Sequence, residues 1–178
     1  MSRLSVAVRT GFSGSISRSS MIDIEEAKRI LAAFEREGVE YVMVGSMAMA
    51  AQGLVRATRD VDFFVAPTAA NIEHLRQALR SLYQDDPNVD QIRVEDLAGD
   101  YPAIEYVPPD APYSLDLLSR LGEAFRYETI DSEELLLDGI RVRVATPSML
   151  YRMKKDTVRP QDRLDAEQLR RLFKIEGS

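Results

Sequence analysis

Two periodicities of apolar residues divide the chain. Ile24, Ala27, Leu31 and Phe34 recur at helical spacing behind Asp23 and Glu26, a pairing that resembles a capping box, so a first helix is predicted up to about Glu37. Val39 to Val44 reads as a strand that halts at Gly45-Ser46. An Ala/Met-rich helical turn or two then runs from Ser46 to Gln52, Gly53 ends it, and a second apolar strand opens with Asp60 and Asp62. Beyond Pro67-Thr68, the stripe Ile72, Leu75, Leu79 and Leu82 predicts a helix from about Ala69 to Tyr83. The acidic region Gln84 to Asp100 is expected to be a surface loop with one edge strand around Gln91 to Val94.

Ala103 to Val107 and Tyr113 to Leu118 are short strands on either side of a stiff turn containing Pro108, Pro109 and Pro112. Leu135 to Leu137 and Ile140 to Val144 form a hairpin around Asp138-Gly139, a dipeptide suited to positive φ. Thr146-Pro147 begins a helix that packs Met149, Leu150 and Met153 inward. Pro160 opens a last helix with Leu164, Leu169, Leu172 and Phe173. The pattern predicts an α+β fold: a small mixed sheet with flanking helices and a C-terminal helical pair spanning residues 147–174.

Composition narrows the chemistry. A chain of 178 residues with 45% hydrophobic content holds one good core. The absence of cysteine excludes disulfides and thiolate metal sites, and the single histidine, His74, falls in a helical pattern as a solvated residue, which argues against zinc hydrolysis. No apolar run approaches the roughly 20 residues of a membrane helix. Residues 1–20 are Ser/Arg-rich and acid-free. They read as a disordered extension, or a start placed too early, ahead of a single domain over residues 21–178. The formal net charge of −6 is unevenly spread: Gly139 to Ser178 carries ten Lys/Arg against five Asp/Glu, and the preceding residues carry thirteen against twenty-four. The C-terminal part is therefore the basic face, either a plain solvated surface or a contact for phosphate or RNA.

The chemistry centres on residues 41–65. Side chains two apart on a strand share a face, so Asp60 and Asp62 lie together with Cα atoms roughly 6.5 Å apart. Two carboxylates beside Phe63, Phe64 and Val65 resist burial unless a cation joins them, and magnesium, which keeps waters and takes phosphate oxygens, suits such a pair. Gly45 permits close backbone approach, and the helix beginning at Ser46 favours an anion. The plainer alternative makes Ser46 a helix cap and the aspartates an exposed strand end. Arg56 and Arg59 flank the carboxylates, where they either contact a triphosphate or neutralise the metal-free pair. Asp116, a lone charge between Leu115 and Leu117, calls for a partner or a task. Glu105 competes with it from a strand that reads as an edge.

Gly45-Ser46 followed by Asp60-x-Asp62 on the next strand resembles the signature of the polymerase-β-type nucleotidyltransferase superfamily. The stretch Arg56-x-Thr58-x-Asp60-x-Asp62 is similar to the bacterial AbiEii/MenT-like, toxin–antitoxin-associated group. Thr146-Pro147-Ser148-x-Leu150-x-x-x-Lys154, followed by Arg159-Pro160-x-Asp162-x-x-Asp165, resembles that group's C-terminal pattern. The resemblance implies a cytoplasmic enzyme that uses magnesium, with two metal ions accommodated, to move a nucleoside monophosphate from a nucleoside triphosphate to an acceptor hydroxyl. It implies Asp60, Asp62 and Asp116 as catalytic and metal-holding groups. It implies Gly45, Ser46, Arg56, Arg59, Lys154 and Asp162 as nucleotide contacts, with Lys155 as the register alternative to Lys154. The acceptor it implies is a tRNA end or a protein, and an antitoxin is the implied partner. Two rivals stay open: a catalytically silent nucleotide-sensing or partner-binding domain, and a small-molecule, antibiotic-type transferase.

Overall fold

A computed structural model describes residues 22–55, 58–100 and 102–176. Helix α1 (Ile24–Glu37) leads into strand β1 (Tyr41–Val44), the short helix α2 (Gly45–Ala51) and strand β2 (Asp60–Val65). Helix α3 (Ala69–Leu82) and the one-turn α4 (Val94–Ala98) precede strands β3 (Ala103–Tyr106) and β4 (Ser114–Leu118). A small ribbon of β5 (Arg120–Leu121) and β6 (Phe125–Arg126) follows. Strands β7 (Ser132–Leu137) and β8 (Ile140–Ala145) form the hairpin, and α5 (Pro147–Lys154) and α6 (Pro160–Phe173) end the fold.

Six strands make one mixed sheet in the order β3-β4-β2-β1-β8-β7. β2 is antiparallel to β1 and parallel to β4, and β1 meets β8 in parallel through Met43 and Val144. Registers Tyr41↔Val65 and Phe63↔Leu117 put Tyr41, Met43, Val61, Phe63, Val65, Leu115 and Leu117 on one face. All seven are buried. Phe34 of α1 closes over this face, its ring centroid 5.1 Å from that of Phe63 and 5.4 Å from that of Tyr41. Burial of such side chains is the main stabilising term of the fold, worth about 1.5–3 kcal/mol each. The opposite face is apolar where Val42 and Phe64 lie side by side, and acidic one step further along, where Asp62 is paired with Val44.

Local chemistry accounts for the element ends. Thr68 and Thr146 accept hydrogen bonds from the amides of Asn71 and Met149, capping α3 and α5. Asn71, itself buried, bonds both the amide and the carbonyl of Glu40, tying α3 to the start of β1. Asp138-Gly139 takes φ of 49° and 87°, as a tight hairpin turn demands. At α1, Asp23 accepts from the Glu25 amide; Glu26 closes no capping box and instead accepts from the hydroxyls of Tyr83 and Tyr113.

One expectation needs correction here. Gln91 to Val94 is not an edge strand: Val89–Gln91 is a 3-10 turn and α4 begins at Val94. Val89, Ile92 and Leu97 all point inward, and the Arg76 guanidinium bonds the Ile92 carbonyl that a neighbouring strand would have used. The β5–β6 ribbon, two residues a side, carries no periodicity in the sequence to announce it. The expectation for residues 1–20 lies outside the described residues.

Phe34→Ala is expected to lower the unfolding free energy by about 3–5 kcal/mol, because the cavity would open against the rings of Tyr41 and Phe63. Leu136→Ala, on a side chain 70% exposed, is expected to stay within about 0.5 kcal/mol. Urea denaturation of the two variants checks both values.

Candidate active site

The parallel pairing of β2 and β4 builds the site. Its register sets Asp62 opposite Asp116 and Asp60 opposite Ser114, so all four side chains leave the same face of the sheet. β3 adds Glu105 beside Asp116 on that face. Asp116, not Glu105, stands next to β2; Glu105 is one strand further out and exposed. Asp60 is exposed, and Asp62 and Asp116 are half-buried.

Repulsion and burial show in the protonation of the carboxylates. Burial, then the charges of Asp116 and Asp60, push Asp62 up to about 6 against the opposing pull of Lys154 and Arg159. Burial and the charges of Asp60 and Glu105 likewise push Asp116 up to about 6, while the Ser114 hydroxyl draws it down. That hydroxyl donates to Asp60 Oδ1 at 3.0 Å, with Asp116 Oδ1 3.5 Å away. Ser114 was missed by sequence reasoning, although its position two residues before Asp116 puts it on the same face.

Gly45 is fixed by the site itself. Its φ is +67°, and a Cβ there would lie 2.1 Å from Asp62 Oδ2. The glycine therefore makes room for a carboxylate of the chain, in addition to turning β1 into α2. Ser46 is buried at the start of that seven-residue helix. Arg59 is exposed and makes no ion pair among the described residues; its carbonyl accepts from the Ser114 amide. Arg56 lies outside the described residues.

The C-terminal helices contribute a second cluster. Lys154, at the end of α5, sends its ammonium to Asp162 Oδ1 at 2.7 Å and Asp165 Oδ2 at 2.9 Å on α6. Burial pushes Asp162 up, but the Lys154 and Thr157 hydrogen bonds and the Lys154 charge outweigh it and hold its carboxyl below the usual range. Asp165 lies inside, 1% exposed, and accepts from Lys154 and from Gln161 Nε2 at 3.0 Å. Lys155 instead stands over the Tyr151 ring, so the register favours Lys154 as the inward lysine. His74 is exposed, as expected.

Among the described residues no group of three or more His, Cys, Asp or Glu closes into a ready-made metal cage. The donor set is an open one: two like-charged carboxylates on one strand and a third directly opposite. Such a set fits magnesium, which is held by one or two carboxylates, waters and substrate phosphates.

No family model matches the chain, and no curated protein matches it in sequence. Solved structures do. An antigenic nucleotidyltransferase-like protein from Paracoccidioides brasiliensis superposes on 85% of this chain and 78% of its own, at 15% identity and a TM-score of 0.52. A proposed nucleotidyltransferase from Thermotoga maritima covers 85% and 92%, at 15% identity and a TM-score of 0.53. The fold is that of the nucleotidyltransferases. Within the nucleotidyltransferase fold, the narrower likeness to the AbiEii and MenT group rests on the sequence motifs alone.

The raised carboxylates have a stability consequence. A carboxyl with a folded-state value near 6 and an ordinary value of 3.8 binds its proton more tightly when folded, so its stabilising contribution is complete below about pH 4 and is lost as pH rises through 6. Metal-free protein is thus expected to melt higher at pH 5 than these two groups allow at pH 7.5. Asp62→Asn should raise the metal-free stability at pH 7.5 by on the order of 1–2 kcal/mol, a value reduced for partial exposure. Magnesium should stabilise the parent protein and not this variant, which thermal melts with and without the ion will check. Gly45→Ala is expected to cost more than the about 1 kcal/mol of a strained φ alone, because Asp62 must move, and to weaken the magnesium response in the same melts.

Proposed function

We propose that the chain is a magnesium-dependent nucleotidyltransferase that transfers a nucleoside monophosphate from a nucleoside triphosphate to an acceptor hydroxyl. The observation that carries this reading is the convergence of Asp60, Asp62 and Asp116 on one face of paired parallel strands within a nucleotidyltransferase fold. Nothing about stability asks for three carboxylates there, since their mutual repulsion opposes folding.

Asp60 and Asp62 would hold the metal, with Asp116 joining them. When bound, magnesium would neutralise charge on the triphosphate and on the leaving pyrophosphate. The backbone at Gly45 and Ser46 would cradle phosphate oxygens close to Asp62, and Arg56 and Arg59 would meet them from the connecting loop. Asp116, with its carboxyl raised to about 6, suits a proton acceptor for the incoming hydroxyl. The hydroxyl oxygen then bonds to the α-phosphorus, the bond from that phosphorus to the bridging oxygen breaks, and pyrophosphate leaves with the electron pair. Ser114 would keep Asp60 and Asp116 oriented, and the C-terminal helices would present Lys154 to the triphosphate. The motif likeness to the toxin-associated group favours a tRNA end or a protein side chain as acceptor, and a cognate antitoxin as partner.

The test is incubation of the purified protein with magnesium and each labelled ribonucleoside triphosphate, with and without total tRNA, following pyrophosphate release and label transfer. Label on tRNA, reduced at least about 100-fold by Asp60→Ala, is the expected result. Label on the protein itself would move the acceptor to a protein hydroxyl. Magnesium-dependent nucleotide binding without turnover in the presence of tRNA, protein and small-molecule acceptors would make the chain a sensing domain, and no binding at all would overturn the proposal.

A further inference from the structure

The way α1 enters the fold decides where the residues ahead of it are delivered. The Ile22 amide donates to the Thr58 carbonyl at 3.2 Å, two residues before Asp60. Glu26, in the first turn of α1, accepts from the Tyr113 hydroxyl at 2.8 Å, and Tyr113 directly precedes Ser114. Arg29 and Tyr83 hold the same carboxylate, at 2.6 and 3.2 Å. The start of α1 is thus tied to the heads of β2 and β4, the two strands that bear Asp60, Asp62 and Asp116. Residues 1–21 therefore join the fold at the carboxylate end of the sheet.

Those residues are chemically unlike the rest of the chain. They carry seven serines, one threonine and three arginines, and the first acidic residue of the sequence is Asp23. A hydroxyl approaching three carboxylates and a triphosphate is repelled if acids accompany it, so an acid-free, arginine-bearing stretch is the kind of chain that can come near. Reach selects among its hydroxyls. A chain spans at most about 3.4 Å per residue, and Asp62 lies about 13 Å along the extended strand from Thr58. Counted back from Ile22, Ser20 and Ser19 extend at most about 7 and about 10 Å, whereas Ser17, Ser15 and Ser13 extend at most about 17, about 24 and about 31 Å. The first two fall short, and the other three can lie across the site. Ser2, Ser5 and Thr10 reach as well, but the effective concentration of a tethered group falls as its tether lengthens.

Resting on the nucleotidyltransferase reading of Asp60, Asp62 and Asp116, we propose that the chain supplies its own acceptor: in the absence of an outside one, Ser13, Ser15 or Ser17 takes the nucleoside monophosphate in cis. The serine Oγ bonds to the α-phosphorus of the nucleoside triphosphate, its proton passes to Asp116, and the bond from that phosphorus to the bridging oxygen breaks. Pyrophosphate leaves with the electron pair, and a phosphodiester joins the serine to the nucleoside. The tether makes the transfer unimolecular in protein, with an effective acceptor concentration on the order of millimolar. Because the acceptor is consumed, the reaction runs once per hydroxyl and then stops.

Incubation of the full chain with magnesium and each labelled ribonucleoside triphosphate, without tRNA, tests the assignment by intact-mass measurement and peptide mapping. The expected label maps to Ser13, Ser15 or Ser17 and appears at a first-order rate that does not change when the protein is diluted about 10-fold. In a mixture of parent and Asp60→Ala chains, told apart by mass, only the parent should carry it. Ser13→Ala, Ser15→Ala and Ser17→Ala combined should cut the label at least about 10-fold, and threonine at the same three positions, which keeps the hydroxyls, should recover part of it. Label on the Asp60→Ala chains, or a rate that falls on dilution, would overturn transfer in cis. Label confined to residues 22–178 would overturn the choice of acceptor. A parent that labels tRNA and never itself would overturn this proposal and leave the transferase reading standing. A parent that binds no magnesium nucleotide removes both.

Discussion

Electrostatic repulsion between Asp60, Asp62 and Asp116 is the constraint around which the fold is arranged. Two unit charges about 6.5 Å apart repel by about 2.5 kcal/mol at an effective dielectric constant near 20, and a third directly across the strand pair adds to this. The same strands supply what offsets it. Val61, Phe63, Val65, Leu115 and Leu117 leave the opposite face into the core beneath Phe34, and each is worth about 1.5–3 kcal/mol of burial. Strict alternation along β2 and β4 lets one face fasten the strands while the other bears the charge. A slip of one residue between them would bury the aspartates and expose the phenylalanine, so the register is held by the same apolar side chains that stabilise the sheet.

Much of this was legible in the chain because it depends on short periods. Asp60 and Asp62 could be placed on one face from spacing alone, and Gly45 marked the end of β1. The pairing of Asp62 with Asp116 was another matter. It joins strands separated by α3 and the acidic region, and nothing local in Leu115-Asp116-Leu117 specifies its partner; the resemblance to a known group suggested it. Ser114 went unnoticed because a serine at the head of a strand is usually a bland residue. The wider acidic stretch was misread for a related reason: Val89, Ile92 and Leu97 are too sparse to define a period, so their inward turn was visible only once α3 had offered Arg76 to the Ile92 carbonyl.

The positive charge near the site comes from the other end of the sequence. The basic C-terminal part does not form an even coat: Arg170 and Arg171 share Glu167 on the outside of α6, whereas Lys154 is drawn inward between two acids. Composition revealed the surplus of cations and could not say which of them turns toward Asp62. Helical spacing put Asp162 and Asp165 on one side of α6, and the lysine arriving from α5 decided that this side is interior.

The meeting of β1 with β8 has a consequence for how the molecule comes into being. β1 is central to the sheet, yet one of its neighbours, β8, is made only after β2 to β7. A growing polypeptide can pair β1 with β2 early, through a connection that is short in sequence, but the far edge of β1 stays open until β8 emerges from the ribosome. Topologies closed by such distant pairings assemble slowly and leave strand edges open to other chains in the meantime. The last strand of the described sheet to be synthesised is thus the one that seals its middle.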